Sequence, residues 1–395
     1  MWRHVAANAL TFFIVALFLV GGVVIWANKQ YAAPGPLAQA ICLRVESGAT
    51  MRSVSKDLAA QGAVSSPSIF RIGADYSDKS SQLKAGSFLV PERASMEGIV
   101  DIITRGGQST CGTEVVYRIG VTRNQVQVRE LDPVTNRFVE TANFVPGAED
   151  APAEMLAEYE TVRAKADTRF RVSVAEGVTS WQVINSLNAV DGLEDFTGDV
   201  PPEGVLAPDS YEFVPGDTAA GIVERMTSAQ AAILAAAWAE RAEDLPLASP
   251  EEALVLASLI EKETGVPEER PQVASVFVNR LRLGMKLQTD PTVIYGITKG
   301  QGVLNRGLRQ SELRARTPYN TYVIDGLPPT PIANPGRASI EAALNPATTD
   351  FIFFVADGTG GHAFATNLDD HNRNVALWRE IEARQAAEAA AGEGN

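Results

Sequence analysis

SPEEALVLASLIEKETGVPEERPQVASVFVNRLRLGMKLQTDPTVIYG, residues 249–296, predicts a helix that ends in carboxylates, a short break, a second helix and a polar loop. Ser249 and Glu252 form an S-x-x-E capping pattern, with Pro250 at the first helical position, where a missing N–H costs nothing. The body from Ala253 to Ile260 is apolar nearly all round, the mark of a helix buried in a core. Glu261, Lys262 and Glu263 follow at once, and Gly265 and Pro267 end the helix, so both glutamates fall in its last turn. Unpaired carbonyls at that end carry about half a negative charge, which favours acids that stay protonated. Apolar surroundings push a carboxyl pKa the same way. Residues two apart on a helix point about 200° away from each other, so Glu261 and Glu263 cannot share one cleft. One is expected to be catalytic and the other structural.

Taken alone, an E-K-E run is more often a solvated last turn. The loop downstream changes the balance. Gln288, Thr289 and Asp290 bring an amide, a hydroxyl and a carboxylate together before Pro291, with Asp290 expected to cap the next helix. Such a loop suits sugar hydroxyls, and a protonated Glu is what a departing glycosidic oxygen needs. Further on, Thr317 to Tyr322 places Tyr319, Asn320 and Tyr322 within six residues. Aromatic faces stack on sugar rings and an amide can read an N-acetyl group, although a turn with core tyrosines has the same sequence.

Composition sets outer limits. A chain of 395 residues suggests two or three domains. A net charge of −14 argues against a nucleic-acid partner, which would need a basic footprint, but is compatible with a polysaccharide. Cys42 and Cys111 lack metal-type spacing, and a disulfide and two buried thiols are both open. Of three histidines, His362 and His371 lie near the C-terminus; with no Cys or His set at usable spacing, no metal and no cofactor are expected. His362, Asn367 and His371 are cleft or support candidates.

In chain order, Val5 to Ala27 forms an apolar run long enough for a bilayer core of about 30 Å. It exceeds a signal-peptide core of about 7 to 15 residues and lacks a convincing A-x-A site. Residues 1–36 are thus expected to be a short stub, a transmembrane helix and a polar linker from about Tyr31 to Pro36. Residues 37–106 read as strand (Ile41–Glu46), helix (Met51–Gln61), helix (Ser68–Ala74) and strand (Lys84–Val90), then a helix over Met96–Thr104. Residues 107–169 read as a β-rich insertion of unknown role, with strands at Val115–Ile119 and Gln125–Leu131 and a helix over Ala153–Lys165. Residues 170–386 form a mostly helical domain. It opens with a strand at Phe170–Val174 and a helix over Val178–Leu187, and includes the alanine-rich scaffold helix Ile222–Ala242. It closes on a hairpin of Phe351–Val355 and His362–Thr366. Asp209 and Tyr211 line a cleft or make a turn, and residues 387–395 are expected to fray. The fold class is α+β.

ASLIEKETGVPEERPQVASVFVNRLRLGMKLQTDPTVIYG (257–296), TPYNTYVIDGLPPTPIANPG (317–336) and FVADGTGGHAFATNLDDHN (354–372) resemble the signatures of the endolytic murein transglycosylases, or YceG-like family. The likeness covers about residues 205–380 and is looser at 40–105. Pro208, Asp209, Ser210 and Tyr211 match the entry to the family's catalytic domain. The resemblance implies that 37–106 is a LysM-like module, either glycan-binding or a spacer. It also implies that Glu263, the second glutamate of the E-K-E run, is the catalytic acid, and that one carboxylate suffices. The implied reaction cuts nascent peptidoglycan strands between N-acetylmuramic acid and N-acetylglucosamine. It leaves 1,6-anhydro ends without a cofactor, outside the inner membrane and beside membrane-bound synthases. Gln288, Thr289, Asp290, Tyr319, Asn320, Tyr322, His362 and Asn367 are then substrate-binding candidates. Two rivals stand: a two-carboxylate muramidase pairing Glu263 with Asp290 or Asp209, and a non-catalytic glycan-binding scaffold.

Overall fold

A computed structural model describes residues 2–105, 109–148, 151–165 and 167–392. The chain divides into two compact units, Met1–Val116 with Val126–Phe170, and Tyr117–Gln125 with Arg171–Asn395. The fold is mixed α and β, with an apolar N-terminal helix and a C-terminal β-hairpin.

The first unit starts with α1 (Trp2–Ala32), of which Thr11–Ala32 is long and apolar enough to cross a membrane. A single-pass anchor and a signal sequence share this form. The polar linker expected from Tyr31 is shorter than read: α1 continues to Ala32 and Tyr31 is only 9% exposed. The cause is a close approach at Gly73, where a Cβ would sit 2.2 Å from the Tyr31 ring, so the ring fills the room that glycine leaves.

There follow β1 (Ile41–Val45), α2 (Met51–Ala60), α3 (Pro67–Tyr76), a 3-10 turn at Ser80–Gln82, β2 (Gly86–Val90) and α4 (Met96–Thr104). Each helix begins on a hydroxyl: Thr50 in a capping box with Ser53, Ser66 before Pro67, and Ser95. The strands pair antiparallel with Leu43 opposite Phe88, and their buried faces join Val54, Leu58, Phe70, Ile99 and Ile103 in one core. Cys42 and Cys111 form a disulfide, with Cα atoms 5.7 Å apart.

Next come β3 (Thr113–Ile119), β4 (Asn124–Asp132), β5 (Arg137–Phe144) and α5 (Ala153–Arg163). β5 is absent from the sequence reading because most of its side chains are exposed and carry no alternating pattern. It pairs antiparallel with β4 from Val126 opposite Phe144 to Asp132 opposite Arg137. Glu114 is buried between Arg129 and Arg169, which supply the charge that its burial requires.

The second unit carries the rest of β6 (Arg169–Val174), then α6 (Ser180–Leu187), β7 (Ser210–Phe213), α7 (Ala219–Ala239) and α8 (Pro250–Glu263). After a 3-10 turn at Pro267–Glu269 come α9 (Arg270–Arg282), α10 (Asp290–Thr298), α11 (Gln310–Arg314), α12 (Arg337–Leu344), β8 (Phe353–Ala356), β9 (His362–Ala365) and α13 (Leu368–Gly392). α8 is the axis of this unit. Ala253 to Ile260 are all buried, and α7, α9, α10 and α12 pack around the helix. Its capping is close to the sequence expectation: Ser249 Oγ accepts the Glu252 N–H, while the Glu252 carboxylate reaches back to the Ala248 N–H at 2.6 Å.

Tyr211 is buried, with its hydroxyl on the Ala207 carbonyl at 2.8 Å, and Asp209 accepts the Ser210 N–H at 2.7 Å. Asp209 thus sits in the bend that leads into β7, while Tyr211 is a buried residue of the strand itself. At the C-terminus α13 continues past Ala386 to Gly392, in keeping with the strong helix propensity of its alanines and glutamates; residues 393–395 lie outside the described residues.

Candidate active site

Glu263 is the last residue of α8, and Thr264 turns out of the helix at φ −135° while its N–H still reaches the Ile260 carbonyl. The helix therefore delivers the carboxyl to a fixed point and stops. There it accepts a hydrogen bond from the Thr289 hydroxyl. Burial raises its pKa as the largest influence; Asp290 adds to this, while the Thr289 bond, His362 and Arg280 oppose it, and the carboxyl stays above the ordinary Glu value.

Thr289 is held from behind. Its N–H donates to Thr321 Oγ1 at 3.0 Å, its carbonyl accepts the Thr292 hydroxyl at 2.8 Å, and Thr292 and Thr321 share a bond of 2.9 Å. Gln288, at φ 49°, donates its N–H to the Thr321 carbonyl and leaves its side chain exposed. Asp290 is not the cap expected from the sequence. Thr289 is the extended N-cap, and Asp290, the first helical residue, accepts the Tyr322 hydroxyl at 2.7 Å instead. Burial, the bond to Asp290 and the charges of Asp290 and Glu263 all push the Tyr322 phenol pKa up.

Asn320 does not fit the expected role of reading an N-acetyl group. It is fully buried, with its amide on the carbonyls of Glu312, Leu313 and Ala315 and its oxygen on the Tyr322 N–H. Three backbone acceptors in one turn consume both of its donors, so Asn320 shapes the loop that carries Tyr322. Tyr319 bonds Thr330 at 2.8 Å and packs its ring 5.0 Å from Tyr295.

His362 opens β9 on the side of Glu263 where its charge is felt. Both oxygens of Glu269 hold it, one on the backbone N–H and one on Nδ1, each at 2.8 Å. A Cβ at Gly361 would lie 2.5 Å from the Glu269 carboxylate, so a side chain there would displace that carboxylate from its present position. Asn367 lies elsewhere in role: it accepts the Asp370 N–H at 2.9 Å at the start of α13 and is exposed. His371 stacks on Phe353 at 4.9 Å, and burial lowers its pKa.

Two residues of this constellation escaped the sequence reading. Glu269 stands beside a helix start and Arg280 in a last turn, positions where an acid and a base are ordinary. Arg280 is buried, with Nε on the Ile352 carbonyl at 2.7 Å and Nη1 on the Leu287 carbonyl at 2.6 Å. A charged residue inside the otherwise apolar face of α9 was the available signal. Glu261 points away from Glu263 and accepts the Gly336 N–H, at the N-cap of α12, at 3.0 Å. Among the described residues no group of three or more His, Cys, Asp or Glu side chains is placed to hold a metal ion.

Residues 148–377, which include every side chain just described, match the profile of the YceG-like family. The chain belongs to the YceG-like family. A relative from Bacillus subtilis strain 168, named endolytic murein transglycosylase, is 40% identical over 174 residues, 44% of this chain and 47% of that protein. One of the same name from Streptococcus pneumoniae D39 is 27% identical over 387 residues, 94% of this chain and 65% of that protein. The matches thus span less than two thirds of these relatives. A solved YceG-like protein from Listeria monocytogenes aligns with 85% of this chain and 98% of its own at 23% identity and a TM-score of 0.44.

Proposed function

We propose that this YceG-like chain is a membrane-anchored lytic transglycosylase that cuts within nascent peptidoglycan strands. The observation that carries the reading is the Glu263 carboxyl, buried at a helix C-terminus, held by one hydroxyl and shifted toward its protonated form. Such a group is a general acid at neutral pH. Glu263 gives its proton to the oxygen bridging C1 of N-acetylmuramic acid to N-acetylglucosamine, and the C1–O bond breaks. As a carboxylate it then takes the proton of the muramyl C6 hydroxyl while that oxygen bonds to C1. The products are a 1,6-anhydromuramyl end and a free 4-hydroxyl on N-acetylglucosamine. Glu263 regains its proton, and no water or cofactor is consumed.

Thr289 orients the acid, and Glu269 orients His362 at its edge. Exposed Gln288 and Asp290 and half-buried Tyr319 and Tyr322 contact sugar hydroxyls and ring faces, whereas Asn320 and Asn367 support the loops. In this reading α1 anchors the chain in the inner membrane, with the catalytic residues in 170–386 on the extracytoplasmic side. The unit at 37–106 is a LysM-like module, the 107–169 segment an insertion, and membrane-bound synthases supply the strands.

The test is digestion of purified glycan strands by the chain without α1, read by mass spectrometry. Wild type is expected to release anhydromuramyl ends, and Glu263→Gln none. Asp290, whose charge reaches Glu263, favours one second reading, a hydrolase with two carboxylates. Reducing muramyl ends in place of anhydro ends would select it.

A further inference from the structure

Beside Lys262 lies a cavity of about 320 Å3 that the proposed reaction leaves unused. It is contiguous in the chain with the candidate site on two sides: Lys262 immediately precedes Glu263, and Pro291 immediately follows Asp290. Its volume is at the small end of the about 300 to 1,000 Å3 typical of ligand sites, too small for a disaccharide but sufficient for one substituent.

The polar groups at its wall are mostly engaged. Gln182 accepts the Thr179 N–H at 3.1 Å and donates to the Val121 carbonyl at 3.0 Å, and the Thr179 hydroxyl donates to the Gly300 carbonyl. Glu203, behind Gly300, accepts the Ser180 N–H at 2.8 Å and lies 3.5 Å from the Tyr295 hydroxyl. The Lys262 ammonium has three donors and gives one to the Gly177 carbonyl at 3.3 Å. The rest of the wall presents Ile294, Val303 and Leu304. The cavity therefore offers hydrogen-bond donors at one place and hydrocarbon elsewhere.

Its charge selects further. Burial lowers the Lys262 pKa, while the charges of Glu261 and Glu203 oppose that shift. Two carboxylates already within electrostatic reach of one ammonium disfavour a third anion. A neutral acceptor joined to a methyl group meets both conditions, since its carbonyl takes the Lys262 hydrogens and its methyl the apolar wall.

We infer that this cavity is a binding site for a neutral, methyl-bearing amide on the amino sugar next to the scissile bond. The inference rests on the proposed glycan substrate. Two sources carry this chemistry: the N-acetyl group of either sugar, and the lactyl-alanyl amide of a stem peptide.

The experiment uses the full chain in nanodiscs with Glu263→Gln, so that ligands stay uncut, and calorimetry against four probes. These are a chitotetraose, the same tetramer deacetylated, a peptide-bearing muro-tetrasaccharide, and that tetrasaccharide stripped by an amidase. Lys262→Met removes the donors, Leu304→Trp fills the cavity from its half-exposed rim, and Lys262→Arg restores a donor. Both of the first two changes are expected to weaken the favoured probe at least tenfold, with recovery in Lys262→Arg. An equal loss on deacetylation assigns the acetyl group; a loss on amidase treatment assigns the peptide. Unchanged affinities for all probes in folded Lys262→Met and Leu304→Trp overturn the inference. Cleavage by chain carrying Glu263 is scored separately. Anhydro ends without Lys262-dependent binding sink only the cavity assignment, and Lys262-dependent binding without anhydro ends sinks only the proposed reaction.

Discussion

Thr289 donates its hydroxyl to the Glu263 carboxyl, and its own backbone is fixed by Thr321 and Thr292. A hydroxyl donor favours the ionised form, so it opposes the burial that raises the Glu263 pKa. Thr289→Val should therefore move that pKa further up. The proton-donating form then persists to higher pH, and the alkaline limb of the kcat/KM profile is expected to shift upward, with a fall in rate of about tenfold from lost orientation. An unshifted limb in a variant of unchanged fold would separate Thr289 from the acid.

Glu263→Gln is expected to abolish cleavage and to stabilise the fold. Because the folded pKa lies above the unfolded one, the native state binds more protons between the two values, and stability falls as pH rises through that window. Glutamine removes this loss while retaining an oxygen for Thr289. The melting temperature should rise at neutral pH and converge with wild type below the ordinary Glu pKa. A lower melting point at neutral pH would contradict a buried, proton-favouring carboxyl.

Glu261 accepts the Gly336 N–H at the start of α12 and faces away from Glu263. Glu261→Ala is expected to cost about 1 kcal/mol in urea unfolding, as for a lost helix cap, with little change in kcat. If it abolished cleavage at full stability while Glu263→Gln did not, the two assignments would be exchanged.

Glu269 grips His362 through both the ring and the backbone. Releasing it with Glu269→Ala should lower kcat by up to about 100-fold with a small effect on KM, because a displaced ring misplaces a group at the acid rather than a binding surface. A change confined to KM would place His362 in substrate binding alone.

The disulfide joins residues 69 positions apart. On chain-entropy grounds its removal by Cys42→Ala with Cys111→Ala should cost about 4 kcal/mol in thermal unfolding. The loss belongs to the first unit, so the transition of the second is expected to stay in place; a matching drop there would show that the two unfold together.

What the sequence determined by itself was local. The apolar circumference of α8, its Ser249 start and its Gly265 and Pro267 stop are short-range signals, and they placed Glu263 at a carbonyl-rich end before any neighbour was known. The opposite facing of Glu261 and Glu263 follows from helix geometry alone. Residue chemistry was equally legible, but its use was not. Asn320 and Tyr322 stand two apart in one polar run, yet one amide is consumed by carbonyls while the phenol reaches Asp290.

Tertiary structure alone decided which side chains meet across distance. It paired Cys42 with Cys111, buried Tyr31 over Gly73, set Glu269 on His362 and brought Thr289 to Glu263. The physical reason is that desolvation and hydrogen-bond partnership depend on everything packed around a group. A sequence records the groups in order and says nothing of which ones lose their water.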